Sequence, residues 1–187
     1  PIGKAKQALD SLEFALVESN FVAFGNYSKY LTNPRLWSSV ANTTIFTVFA
    51  VSFELTVGMM LALLMNQNYK GRGLIRASVL IPWSIPASTS ATIWKFMYDG
   101  QYGVIARLFA ALGIVPSAAW ILTTRVGSLF GMIVSDVWKT SPFMALLLLA
   151  GLQTIDGTLY EAAKVDGCGK VRSFFSITIP LLKPTML

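Results

Sequence analysis

Residues 159–184 read LYEAAKVDGCGKVRSFFSITIPLLKP, and the rest of the chain takes its meaning from them. The stretch lies between two strongly apolar regions, yet it holds Glu161, Lys164, Asp166, Lys170, Arg172 and Lys183. Thr158 and Glu161 have the T-x-x-E spacing of a capping box, which predicts a helix start there. Ala162 and Ala163 favour helix. Gly167 and Gly169 permit a sharp turn. A second short amphipathic piece follows, with Phe174, Phe175, Ile177 and Ile179, and Pro180 is expected to end it. The pattern predicts a helix–turn–helix lying at a membrane face. Its small residues let another protein approach, and its charges can pair with that partner.

The flanks explain why a membrane is invoked. Of 187 residues, 54% are hydrophobic and 13% charged, about half the charged share of an ordinary soluble domain. The mean hydropathy is +0.59. Three spans are expected, at about residues 39–65, 74–98 and 126–152, each long enough for the ~20 apolar residues that a crossing helix needs. Pro82 and Pro86 should kink the second. Trp94, Phe96 and Tyr98 at its end suit a membrane interface. Residues 1–38 form a mixed polar segment that begins as a short amphipathic helix. Asn33-Pro34 marks a turn. Residues 100–124, Gly/Ala-rich with Pro116, are expected to form a short helix on the outer face.

The net charge of +6 comes from cations spread through short loops. No basic stripe forms, so nucleic acid is excluded as a partner and the lipid bilayer is favoured. The link 66–76 has Lys70, Arg72 and Arg76 and no acid, which places it in the cytoplasm. Residues 1–38 and 99–125 then lie outside, and 153–183 inside. The chain has one cysteine, Cys168, and no histidine. A disulfide framework and histidine metal or general-base chemistry are therefore excluded. No catalytic constellation remains, and the chain is not expected to be an enzyme. Gly167-Cys168-Gly169-Lys170 is not a phosphate loop, because Lys164 and Val171 stand where that motif needs Gly and Ser/Thr.

Glu161-Ala162-Ala163, three residues, Gly167, nine residues, then Ile177-x-Ile179-Pro180 resembles the EAA loop of binding-protein-dependent ABC importer permeases. Ile179 stands where Leu is usual, and Cys168 where Ala is usual. Other words resemble the maltose-type sugar permeases. They are Asn26-Tyr27, Asn42-Thr43, Gly71-Arg72-Gly73, Pro82-Trp83-x-x-Pro86, Tyr102-Gly103, the run from Trp138 to Phe143, and Ala150-Gly151-Leu152.

The resemblance implies an all-α, polytopic transmembrane bundle of the type I importer kind, with a cytoplasmic EAA coupling helix within residues 157–180. A six-helix member would have one further helix before this chain and two after it. The location implied is multi-pass in the cell inner membrane. This subunit would form half of a translocation pathway, for carbohydrate uptake, beside a second, homologous permease. A cytoplasmic ABC ATPase dimer would carry ATP and Mg, with no cofactor on this chain, and an external solute-binding protein would deliver the solute. The ATPase-coupling residues would be Glu161, Ala162, Ala163, Asp166, Gly167, Phe174, Ile177 and Pro180.

Several of these residues have plainer readings. Glu161 can cap its helix as well as dock. Gly167 can be a C-cap. Asp166 can serve the turn or pair with Arg172. Asp136 and Lys139, three apart on one helix face, read first as a structural ion pair and second as pathway lining. Glu54 has no partner on its own helix, so it faces another subunit or is held protonated by desolvation. Trp83, Trp94 and Trp138 offer faces to a sugar ring, although anchoring or packing is the commoner use. The competing class is a self-contained ion-coupled transporter or channel. It needs partnered intramembrane acids and repeated halves with broken helices. Only Glu54 and the Asp136/Lys139 pair are available, and no inverted repeat is visible.

Overall fold

The computed structural model describes residue 6 and residues 23–186. The amphipathic helix expected before residue 20 falls outside the described residues. The chain divides into two units, residues 1–41 and 42–187. In the first, α1 (Gly25–Leu31) is followed by the start of α2 (Pro34–Asn66). Asn33 Oδ1 accepts from the Arg35 N–H at 2.9 Å, and Pro34 opens α2. Proline suits a first helical position because its missing donor is not needed there.

Within residues 42–187 every described element is helical. After α2 come α3 (Arg72–Val79), α4 (Ile81–Ser84), α5 (Ala87–Met97), α6 (Val104–Ala111), α7 (Trp120–Thr123) and α8 (Arg125–Gln153). Then follow α9 (Gly157–Val165), α10 (Lys170–Ser173), a π turn (Phe174–Thr178) and α11 (Ile179–Met186). α2 and α8 are each long and apolar enough to cross a membrane. Only 33% and 28% of their most apolar windows are buried, so neither is the enclosed core helix of a soluble protein. Val48, Phe49, Phe53 and Met60 of α2 stand exposed. A patch of that kind suits lipid or a partner subunit.

The second expected span is not one helix. It is cut into α3, α4 and α5, and the cut follows the prolines. Ile85 is extended (ψ 132°) because a residue before proline is pushed out of the helical region. Pro86 has no N–H to continue the ladder, so the break falls between Ser84 and Ala87. Pro82 sits in the first turn of α4, where its missing N–H accompanies the boundary with α3 at Leu80.

Two cores hold residues 42–187 together. In one, Met59, Ala62 and Met65 of α2 meet Ala145, Leu148, Leu149 and Leu152 of α8 and Leu182 of α11. Small residues set the spacing, as expected where lipid removes the hydrophobic drive between helices. A Cβ on Gly151 would lie 2.7 Å from Leu182 Cδ2 and from Thr185 Oγ1. The other core joins Trp94, Tyr98, Ala106, Val115 and Ile121. This corrects the interface reading of Trp94 and Tyr98. Both are buried because α6, α7 and the segment between them fold over them, and the Tyr98 hydroxyl donates to the Gly131 carbonyl at 3.1 Å. Phe96 alone of the three is exposed.

Candidate functional site

The loop after α8 is built on a cap the sequence reading missed. Asp156 Oδ1 accepts from the Thr158 N–H at 2.9 Å, and Asp156 is the N-cap of α9. The Thr158/Glu161 capping box therefore does not form. The helix starts two residues earlier than that box requires, at Gly157, and the D-x-T spacing was the signal for it. The Thr158 N–H, with the Thr158 hydroxyl beside it, holds the Asp156 carboxyl below the usual carboxylate range. A depressed value adds stability above the unfolded pKa near 3.9 and loses it as pH falls through the folded value. Hydrogen exchange of α9 amides, corrected for intrinsic rates, is thus expected to accelerate below about pH 4. Asp156→Asn, which keeps the acceptor, should flatten that response.

At the other end of α9 the chain reverses on Gly167, at φ +75°. The Cys168 N–H bonds the Ala163 carbonyl at 2.8 Å and the Gly167 N–H bonds that of Lys164 at 3.1 Å. These are the paired bonds of a Schellman ending. Gly169 has ordinary extended angles and needs no glycine freedom. Gly167→Val is expected to cost at least 1–2 kcal/mol, the left-handed penalty for a side chain. Faster exchange at the Gly167 and Cys168 amides should follow, and unchanged exchange would count against the Schellman ending.

α9 buries none of its residues. Glu161, Ala162, Asp166 and Gly167 are exposed, and Ala163 is half-buried. Among the described residues Glu161 has no partner, and Asp166 forms no ion pair with Arg172. Phe174 instead turns inward against the core of α2 and α8, and Ile177 is half-buried. Pro180 is exposed and does not end the helix, contrary to expectation. The π turn before it absorbs the missing donor, and helix continues to Met186. Tyr160, which sequence reasoning passed over, ties α9 to this turn through its hydroxyl, 2.9 Å from Thr178 Oγ1.

A second site lies between α5 and α8, in a cavity of about 500 Å³ lined by Ser90, Trp94, Ser135, Asp136, Lys139 and Thr140. The Asp136/Lys139 ion pair is not formed. Lys139 Nζ donates to the carbonyl of Ile85 and, at 3.4 Å, to that of Trp83. Those are the acceptors freed by the Pro86 break, and they outcompete a carboxylate one turn away. Asp136 accepts from Thr140 Oγ1 at 3.5 Å and faces Glu54, which is buried on α2. Trp138 stands edge-on to Trp94, with ring centres 5.4 Å apart. Trp94 Nε1 has no partner among the described residues. Trp83 stacks on Phe143 at 5.0 Å. The structure thus brings Glu54, Trp94, Asp136, Trp138 and Lys139 to one place.

Two long, lipid-compatible helices, and an exposed, charged loop after the second, suit a membrane-spanning protein. The chain belongs to the binding-protein-dependent transport system inner membrane component family, which it matches over residues 54–187. It is 45% identical over 170 residues to the trehalose/maltose transport system permease protein MalF of Thermococcus litoralis, covering 91% of this chain and 57% of that protein. It is 40% identical over 169 residues to the sulfoquinovosyl glycerol transport system permease protein SmoG of Agrobacterium fabrum, covering 90% and 54%. The chain spans a little over half the length of these relatives. In fold it is similar to a bacterial ABC transporter that imports the acidic polysaccharide alginate, with a TM-score of 0.76 at 23% identity, covering 97% of this chain and 63% of that one. A bacterial alginate ABC transporter in complex with an alginate pentasaccharide-bound periplasmic protein also gives 0.76, at 20% identity, covering 97% and 67%.

Proposed function

We propose that this chain forms half of the translocation pathway of an ATP-driven importer of carbohydrate-type solutes in the cell inner membrane. The α9–turn–α10 loop is the part gripped from the cytoplasm by a separate ABC ATPase dimer, which carries the ATP and Mg. The observation that supports this most is that α9, between two apolar regions, has no fully buried residue and leaves Glu161 and Ala162 exposed. An exposed helix held rigid at both ends, by Asp156 and by Gly167, is a lever suited to a partner. A second permease lines the other half of the pathway, and an external solute-binding protein delivers the solute. The cavity lined by Trp94, Asp136, Ser90 and Thr140 then offers an aromatic face, a carboxylate and hydroxyls to a hydroxyl-rich ligand.

The test is biochemical. The intact permease should co-purify with an ATPase whose hydrolysis rises when the loaded binding protein is added. Uptake driven by an ion gradient without ATP would overturn the proposal in favour of the ion-coupled alternative. Topology is checked at Cys168, which is partly accessible in the turn. A membrane-impermeant maleimide is expected to label it in inside-out vesicles and not in right-side-out ones, with Cys168→Ser as the blank. The opposite pattern would place the loop outside and end the proposal.

A further inference from the structure

Beside the proposed coupling loop is a cavity of about 1230 Å³, larger than the one between α5 and α8. It is bounded by the ends of α2 and α8, the start of α3 and the α9–α10 turn. Arg72, Arg76, Lys164 and Lys170 line it, and no Asp or Glu does. Asp156, Glu161 and Asp166, on the same loop, are not part of the lining.

Two of the cations are already held in place. Arg76 donates from Nη2 to the Met65 carbonyl at 2.9 Å, while its buried Nε has no partner among the described residues. Arg72 Nη1 bonds Asn68 Oδ1 at 2.8 Å. Four like charges around one concavity repel one another unless an anion joins them. Guanidinium groups fixed in this way match phosphate oxygens in particular.

The surroundings are amphiphilic. Leu74 and Ile75, between the two arginines on α3, are exposed, and so are Val171 and Phe175 beyond Lys170. Apolar side chains beside a basic hollow, at the ends of apolar helices, fit a headgroup whose chains remain in lipid. We propose that this cavity binds the phosphate of an anionic phospholipid headgroup from the leaflet that borders the loop. Basic hollows between membrane helices on the cytoplasmic side take such headgroups. The inference rests on the cytoplasmic placement of the loop argued above. A bound headgroup would tie the coupling loop to the helix ends of α2 and α3, so leaflet composition would bear on coupling.

The experiment uses the intact transporter in detergent, with three probes: short-chain phosphatidylglycerol, short-chain phosphatidylcholine and inorganic phosphate. Saturable binding of phosphatidylglycerol is expected, with the other two competing poorly. The double variant Arg72→Gln/Lys170→Gln should bind it about thirtyfold more weakly, from the loss of two near-surface cations. Arg72→Lys/Lys170→Arg should restore most of the affinity. Unchanged binding in the double Gln variant would overturn the proposal. Competition by inorganic phosphate as effective as phosphatidylglycerol would assign the cavity to free phosphate and overturn the lipid. Binding to the isolated permease that vanishes when the ATPase is present would make the hollow a protein interface, and so also overturn it. Cys168 labelling of sealed inside-out and right-side-out vesicles carrying the same variants separates the two failures: a misplaced loop changes the labelling side whether or not the probe binds.

Discussion

A Glu161→Lys permease is expected to reach the membrane in normal amount and to import nothing above background, while ATP hydrolysis by the assembly no longer responds to the loaded binding protein. Glu161 is exposed and partnerless among the described residues, and the helix is capped by Asp156 instead. Folding therefore loses little. A surface change away from special features stays within about 0.5 kcal/mol, with a few tenths more from placing a cation near a helix N-terminus. At a docked face the same change sets like charges together, which costs several kcal/mol. At about 1.4 kcal/mol per tenfold, engagement should weaken by a hundredfold or more. Glu161→Gln, which only removes the charge, should fall between. Uptake assays and binding-protein-stimulated hydrolysis in reconstituted vesicles read the outcome, and full transport by Glu161→Lys would end the docking role.

How far the sequence alone carries depends on where each residue's competing partners lie. The third expected span, 126–152, differs from Arg125–Gln153 by one residue at each end, because its apolar run sets its own limits. The first, 39–65, begins five residues late. Asn33-Pro34 has the composition of a turn, but the Asn cap and the Pro at the first helical position also start the helix. The kink at Pro86 was legible from proline chemistry. What Lys139 does there was not. The spacing of Asp136 and Lys139 predicts a pair, but the stronger acceptors belong to Ile85 and Trp83, more than 50 residues away in sequence. Likewise Trp94 and Tyr98 look like interface aromatics until residues 104–121 cover them. The loop after α8 was the most legible part, since its turn is local. Even there two T-or-D caps competed, and the choice of Asp156 over Thr158 lay in where the backbone left the helix.

The same tertiary competition yields the other large effect. Lys139→Met should lower the thermal midpoint and the detergent-extracted yield of the permease even with no solute present. Met keeps the apolar stem but leaves the carbonyls of Ile85 and Trp83 without their cationic donor. A hydrogen bond to a charged group is worth about 1.5–3 kcal/mol, less whatever water in the adjoining cavity restores. A loss of about 2 kcal/mol is therefore expected. Were Lys139 only a solute contact, the empty protein would keep its midpoint and lose affinity alone. Lys139→Arg, which still donates, should recover most of the midpoint. The sharper test removes the cause of the break. Pro86→Ala restores the N–H that the ladder lacks and lets Ile85 return to helical angles, which leaves fewer freed carbonyls for Lys139 to serve. In that background Lys139→Met should cost measurably less, giving a coupling energy above about 0.5 kcal/mol between residues that share one network. Strictly additive midpoints would show that Lys139 is not bound to the fate of the broken helix.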